Sequence, residues 1–268
     1  MLIIHTALHA EASALIQHYQ LKRRHDIRAF PCFTTDNIFL IESGIGRTST
    51  ATAIGWVAAL LQCEQPVWLN YGMAGHAVHD VGTCLLAHRI QDQASGLRYY
   101  PPQLTSHSPA GANLLTVDQP QHDYPDNCMV DMEASAFVAA ASRFSTLELI
   151  QSMKVISDNV RHPPTRMKPA AVEALLTPGI EHLDNIIQQL LELRAMALDE
   201  TADTQKLLLQ RWHFTQYQRG QLQRLVQRYH ALHQDHDLLD MIPDNISGSK
   251  QLIHWLKDSL ATAPRPYS

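Results

Sequence analysis

The chain has 268 residues, of which 45% are hydrophobic, and its formal net charge is −5 with histidine neutral. This length accommodates one large α/β domain or two smaller ones. The slightly acidic balance argues against nucleic acid or an anionic membrane surface as the main partner, so we expect neither.

Neither the cysteines nor the sixteen histidines are spaced like metal ligands. Cys32, Cys63, Cys84 and Cys128 are far apart and form no CxxC pair, which favours reduced thiols in a cytoplasmic protein. The N-terminal segment lacks the basic region of a signal peptide, and no run of about 18 apolar residues occurs, so we expect no membrane span. We predict no metal and no cofactor.

Strands and helices alternate through the first two thirds of the chain. Predicted strands lie within residues 2–8, 37–46, 66–75, 82–91 and 147–160, and predicted helices lie within 10–21, 47–63, 136–144 and 179–200. This alternation predicts an α/β fold with three αβα layers and a mostly parallel, mixed central sheet. Residues 92–128 are rich in Pro, Gln, His and Asp, which predicts irregular segments that pass over the sheet.

The pattern changes near residue 199. Residues 205–234 and 247–262 are amphipathic and rich in Gln, Arg and His, which predicts a small helical appendage. We therefore divide the chain into an α/β domain at 1–198 and a C-terminal helical extension at 199–268. Its positive and negative charges nearly balance, which again argues against nucleic-acid binding.

In open α/β sheets ligands bind beyond the carboxyl ends of the strands. That rule selects Glu11 after the first predicted strand, Asp158 at the end of the last one, and two predicted glycine turns at 44–46 and 72–75. Each feature also has an ordinary explanation, since glutamate is usually exposed and aspartate often caps a turn.

A further acidic pair begins the segment "VDMEASAFVAAASRF" at residues 130–144. Asp131 and Glu133 precede a predicted helix of small residues, where carboxylates favour the positive end of the helix dipole. Capping accounts for Asp131. Glu133 would join Glu11 and Asp158 as a third carboxylate, and convergence of such groups from separate strands is what a small-molecule site needs.

Five segments in this order resemble the nucleoside phosphorylase superfamily, and within it methylthioadenosine/S-adenosylhomocysteine nucleosidase. They are "ALHAEASAL", "ESGIGRTSTATAIGWVAALL", "WLNYGMAGHAVHDVGTCLLAHRI", "VDMEASAFVAAASRF" and "KVISDNV". The resemblance covers about residues 1–195. It implies a nucleoside phosphorylase-like fold, hydrolysis of the N-glycosidic bond of a purine-type nucleoside, a small-molecule nucleoside substrate, and a homodimer or larger homo-oligomer.

The resemblance also implies roles for individual residues. Met132 would pack on the ribose, and Glu133 would accept hydrogen bonds from the ribose hydroxyls. Glu11 would activate the attacking water. Asp158 would give a proton to the departing base, with Ser157 orienting it. These roles suit the chemistry, because a carboxylate accepts hydroxyl protons and stabilises positive charge that develops on the sugar.

Water is favoured over phosphate as the nucleophile. The family's phosphate-binding arginine corresponds to Asn70 here, as it does in the nucleosidases. Ala74 and Gly75 are predicted to contact the substrate. The chain departs from the nucleosidases at two positions. Met73 stands where they have serine, and Lys154 stands where they have arginine.

Two other functions remain open from the sequence. The first is a phosphorolytic nucleoside phosphorylase. The second is a non-catalytic nucleoside-binding protein on the same fold, with the C-terminal helices as a partner-binding module.

Overall fold

Strands and helices alternate through the computed structural model, which describes residues 1–104, 106, 108–121, 124, 125, 127–232 and 237–261. The strands in these ranges are β1 (Leu2–Thr6), β2 (Lys22–Arg23), β3 (Cys32–Thr34), β4 (Ile38–Glu42), β5 (Val67–His76), β6 (Cys84–Asp92), β7 (Arg98–Tyr99), β8 (Gly111–Thr116), β9 (Cys128–Asp131) and β10 (Ile150–Asp158). The helices are α1 (His9–His18), α2 (Arg47–Leu61), α3 (Ala134–Ala141), α4 (Pro169–Leu176), α5 (Ile180–Arg211), α6 (Gln216–Leu232), α7 (Leu238–Met241) and α8 (Ser249–Ala261), with short 3-10 turns at Leu147–Leu149 and Thr177–Gly179.

All ten described strands join one mixed sheet. Strands β10, β5, β1 and β4 lie side by side and run parallel to one another. On the other side, β5 pairs with β9, β9 with β8, β8 with β6, and β6 with β10, so these five strands form a closed ring of pairings. The predicted α/β class with a mixed, largely parallel sheet is confirmed.

The parallel centre of the sheet is covered on both faces. Every residue of β1 is buried, and alternate residues of a strand point to opposite faces. Ile3 packs in a cluster with Ile54 of α2 and Phe137 of α3. Leu2 and Ile4 face the other way and are equally buried. Helices α2 and α3 pack together as one layer, and α1 and α4 pack together as another, which gives the predicted three layers.

Two predictions about local structure are wrong. Residues 72–75 are not a turn, because β5 continues through both glycines to His76 and neither glycine has a positive φ. Residues 92–128 are not wholly irregular, since they include β7 and β8. These strands are short and only half buried, so their apolar pattern is weak. Residues 105, 107, 122, 123 and 126 of that stretch lie outside the described residues.

The predicted helix start near Asp131 is also displaced. Asp131 is the last residue of β9, and α3 begins at Ala134 with Glu133 as its N-cap residue. The Asp131 carboxylate nevertheless accepts a hydrogen bond from the Ala134 N–H at 2.9 Å. The predicted capping contact of Asp131 therefore exists, although the residue itself belongs to a strand.

The chain divides into two compact units, Met1–Glu192 and Leu193–Ser268. The second is helical, as predicted, and has its own core, which includes Leu222, Val226, Leu252 and Leu256. The predicted boundary between residues 198 and 199 stays a prediction. Within the described ranges, no helix combines the length and the apolar character needed to cross a bilayer.

Candidate active site

Three of the predicted site residues lie near the carboxyl ends of the parallel strands. Glu11 is in the first turn of α1, which follows β1, and Asp158 ends β10. Glu133 precedes α3, and its Oε1 accepts a hydrogen bond from the Gly46 N–H, beyond β4, at 2.8 Å. Since these strands are parallel neighbours, their carboxyl ends form one edge of the sheet.

The Glu11 carboxylate is held by backbone N–H groups from two elements. Oε2 accepts hydrogen bonds from Ala7 and Leu8 at 2.9 Å each. Oε1 accepts one from Met73, in β5, at 3.0 Å. Burial raises the pKa of Glu11 despite the opposing attraction of Lys154 and these donors. Because a carboxylate oxygen can accept two hydrogen bonds, Oε1 keeps one position for a further donor.

Gly72 provides the space that this carboxylate occupies. A Cβ atom at position 72 would lie 2.7 Å from Glu11 Oε1, so a side chain there would displace the carboxylate. Gly75 plays the same part for Asp158, since a Cβ there would lie 2.5 Å from Asp158 Oδ2. The two glycines are therefore explained by the close approach of two carboxylates to β5.

Asp158 accepts hydrogen bonds from two hydroxyl groups. Ser157 Oγ donates to Oδ1 at 2.5 Å, and the Tyr124 hydroxyl donates to Oδ2. The Tyr124 ring lies against Gly75, where a Cβ would also meet it. Sequence reasoning missed Tyr124, which belongs to the polar stretch before β9. Ala74 is buried, and its carbonyl oxygen accepts a 3.3 Å hydrogen bond from Ser157.

Glu133 is buried beside other carboxylates. Burial, followed by the nearby Asp131 charge, raises the pKa of Glu133 to about 7, although Lys154 and the Gly46 N–H favour its ionised form. Met132, the neighbouring predicted ribose contact, is half-buried between β9 and α3. Glu133 therefore changes its charge near neutral pH.

This raised pKa predicts a pH-dependent stability. The folded state binds the Glu133 proton more tightly than the unfolded state does. The contribution of Glu133 to the free energy of unfolding is therefore complete below about pH 4.5 and is lost as the pH rises through about 7. At pH 8 we expect Glu133→Gln to raise the free energy of unfolding by up to about 3 kcal/mol, and at pH 5 to change it little. Urea unfolding at both pH values measures this.

The matched control is Glu181→Gln, in which the side chain is exposed at the start of α5. We expect it to leave the free energy of unfolding nearly unchanged at both pH values. A Glu133→Gln protein less stable than the parent at pH 8 would contradict the buried-charge explanation.

Lys154 is the cation of this cluster. It is about 1% exposed, and its Nζ lies 2.9 Å from Asp131 Oδ2. Burial disfavours its charge, but the carboxylates of Asp131, Glu133 and Glu11 outweigh burial and raise the pKa of Lys154. One ammonium group thus balances part of the charge of three carboxylates that come from α1, β9 and the start of α3.

Asn70 lies deeper in the same sheet and is hydrogen-bonded at both ends of its amide. Its Oδ1 accepts from Ser152 Oγ at 2.8 Å, and its Nδ2 donates to His5 Nδ1 at 3.0 Å. His5 Nε2 in turn contacts Ser43 Oγ at 2.7 Å. Burial, with a smaller effect of Lys154, lowers the pKa of His5 to about 3, so this chain of side chains is neutral.

A cavity of about 670 Å³ opens at this edge of the sheet. It is lined by Leu8, His9, Ala10, Ile45, Met73, Ser157, Asp158, Pro164, Thr165, Arg166, Met167, Pro169 and Val172. Glu11 is hydrogen-bonded to the backbone of Leu8 and Met73, and so lies directly behind the cavity wall. Among the described residues, no three His, Cys, Asp or Glu side chains cluster in a way that could hold a metal ion.

Several solved structures of other proteins have a similar architecture. No protein-family model and no curated protein sequence matches the chain. Among solved structures, 5′-methylthioadenosine/S-adenosylhomocysteine nucleosidase from Neisseria meningitidis, in complex with methylthio-immucillin-A, superposes with a TM-score of 0.54. The match has 15% identity and covers 71% of this chain and 97% of that one.

Two further structures are similar. Futalosine hydrolase from Helicobacter pylori has a TM-score of 0.56 at 14% identity, over 70% of this chain and 97% of that one. The methylthioadenosine/S-adenosylhomocysteine nucleosidase from Campylobacter jejuni has a TM-score of 0.56 at 12% identity, over 70% and 98%. The chain has the fold of these hydrolases. This nucleosidase fold is the one that the sequence motifs imply.

Proposed function

We propose that the chain is a nucleosidase that hydrolyses the N-glycosidic bond of a purine-type nucleoside. The observation that carries the proposal is the position of Glu11, Glu133 and Asp158 at one edge of the sheet, each fixed by hydrogen-bond donors. The nucleosidase fold supports it, since similar structures are named for hydrolysis of methylthioadenosine, S-adenosylhomocysteine or futalosine.

In this mechanism the C1′–N bond lengthens while positive charge develops on the sugar. Ionised Glu133 accepts hydrogen bonds from the ribose hydroxyls and stabilises that charge. Glu11 Oε1 accepts a proton from the water that attacks C1′, and its raised pKa makes it a better base. Asp158 gives a proton to the departing base. The hydroxyls of Ser157 and Tyr124 can rotate to accept from the protonated form.

Water is the better nucleophile for this site than phosphate. Asn70, at the position of the family's phosphate-binding arginine, has both ends of its amide engaged within the sheet. A phosphate placed beside Glu11 and Glu133 would meet two carboxylates, and like charges repel strongly where water is excluded.

Release of adenine from methylthioadenosine, followed with and without phosphate, tests the proposal. We expect base release without phosphate, with free methylthioribose as the second product. Strict dependence on phosphate, with a sugar 1-phosphate as product, would establish phosphorolysis instead. Binding without turnover across a panel of purine nucleosides would favour the non-catalytic function.

Gly72→Ala should remove most of this activity while leaving the fold intact. The new methyl group would displace a carboxylate that three backbone N–H groups hold, and a shift of about 1 Å in a catalytic group can cost about 100-fold in rate. Gly55→Ala in α2 is the matched control, because its Cβ would meet nothing within 4 Å. Equal kcat values for the two variants would contradict the assigned role of Gly72.

We also infer a homodimer or larger assembly in the cytoplasm. Ile45 and Leu97 are 54% and 59% exposed and line a depression of about 800 Å³ between α2, α3 and β7, and exposed apolar side chains of this kind favour an interface. None of the four cysteines, all of which lie in the described residues, forms a disulfide bond, which suits a reducing compartment. Light scattering should give at least twice the 30.2 kDa chain mass, and a monomer at micromolar concentration would contradict the assembly.

A further inference from the structure

The cavity crosses the ends of four parallel strands. The strands β10, β5, β1 and β4 are consecutive neighbours, and three inter-strand spacings amount to about 14 Å. Asp158 marks the β10 end of this row. His9 marks the other end, because its Nδ1 lies 2.7 Å from Oε1 of Glu42, the last residue of β4. A ligand that reaches Asp158 therefore has room to extend toward His9.

The segment after β10 brings a cation to this cavity. Residues 164–167 and 169 line the wall and lead into α4. Helix α4 packs on α1, the helix that begins at His9. Arg166 and Met167 in this segment thus belong to the same wall as Leu8, His9 and Ala10. Besides Ser157 and Asp158, the polar residues that line the cavity are His9, Thr165 and Arg166, and the other lining residues are apolar.

Three arginines of the α/β unit form ion pairs with carboxylates. Arg24 pairs with Asp26, Arg47 bridges Asp92 and Asp118, and Arg161 pairs with Asp80.

Among the described residues, no carboxylate lies within ion-pair distance of Arg166. His9 Nδ1 lies 2.7 Å from Glu42 Oε1, and Arg166 is the one lysine or arginine among the described residues that line the cavity.

We propose that the substrate carries an anionic group, phosphate or carboxylate, on the 5′ side of its sugar, and that Arg166 binds it. This inference rests on the proposed function, in which the base lies at Asp158 and the ribose at Glu133. The 5′ substituent then points away from Asp158, toward the part of the wall that holds Leu8, His9 and Arg166. A guanidinium binds phosphate or carboxylate oxygens in a bidentate manner.

The experiment compares three adenine nucleosides that differ only at the 5′ position. They are adenosine 5′-monophosphate, adenosine-5′-carboxylic acid and the neutral 5′-methylthioadenosine. We expect kcat/KM of the parent to be at least about tenfold higher for an anionic nucleoside than for the neutral one. The anionic nucleoside with the higher kcat/KM shows whether the site binds phosphate or carboxylate.

Arg166→Gln is the test variant. It should lower kcat/KM for the preferred anionic nucleoside by about tenfold or more, mainly through KM, and leave the neutral nucleoside nearly unchanged. The control is Arg161→Gln, which removes an exposed arginine that pairs with Asp80 and does not line the cavity. Arg161→Gln should change kcat/KM for neither the anionic nor the neutral nucleoside.

Preference of the parent for the neutral nucleoside, or an equal loss on all three substrates in Arg166→Gln, would overturn the inference while leaving the hydrolase proposal intact. If no nucleoside is cleaved, the hydrolase proposal fails. Calorimetric affinities of the same three ligands for parent and Arg166→Gln then decide the inference alone. Equal affinity of the parent for neutral and anionic ligands would overturn it.

Discussion

Asp158→Asn is expected to lower kcat for nucleoside hydrolysis by about 10²–10⁴-fold, the usual contribution of a general acid. Asparagine has the same shape and can still accept a hydrogen bond from Ser157 or Tyr124, but it has no carboxylic acid proton to give to the base. Steady-state kinetics on parent and variant at several pH values measure the loss.

A substrate with a leaving group that needs no proton isolates this role. The 4-nitrophenyl riboside releases a stable phenolate, so Asp158→Asn should cleave it at nearly the parental rate. An equal loss on both substrates would show that Asp158 positions the sugar or supports the site. Full activity on the nucleoside would remove Asp158 from the chemistry.

Lys154→Met is expected to lower the free energy of unfolding by about 3–5 kcal/mol at pH 8, the cost of leaving buried charge without its partner. The variant keeps a side chain of similar length but leaves Asp131, Glu133 and Glu11 without their shared cation. Urea unfolding at pH 8 and pH 5 measures it. The loss should be smaller at pH 5, because Glu133, whose pKa is raised to about 7, is protonated there and one of the three repelling charges is removed.

Lys22→Met, on exposed β2, is the matched control and should change stability by less than about 0.5 kcal/mol. Adding Glu133→Gln to Lys154→Met should restore part of the loss, because it removes one of the three negative charges. A loss of less than about 1 kcal/mol in Lys154→Met would show that the cluster is not held by this ammonium group.

The sequence predicts the residues that follow the parallel strands better than it predicts what surrounds them. Continuous apolar runs reveal β1, β4, β5 and β10, and their order places Glu11 and Asp158 at one edge. The glycines of β5 suggest a turn in the sequence. Their actual reason is the close approach of the Glu11 and Asp158 carboxylates, which are distant in the sequence and so give no local signal.

Tyr124 had no signal of its own in the sequence. It lies in a polar stretch with prolines and aspartates, and its significance comes from a hydrogen bond to Asp158 that only the folded chain creates. Lys154 is similar. As a lone lysine within an apolar strand its charge is unexpected, and the three carboxylates that explain it come from separate parts of the chain.

The ring of pairings among β5, β9, β8, β6 and β10 has a consequence for how the protein behaves when concentrated. Strand edges that remain open can pair with another chain and start aggregation. In the described sheet the ring leaves none of these long strands at an open end of the strand order. The described strands with a single neighbour are β2 and β7, each two residues long, and both residues of β2, Lys22 and Arg23, are exposed and cationic. A short, charged edge of this kind discourages edge-to-edge association, so the sheet resists fibril formation by its topology.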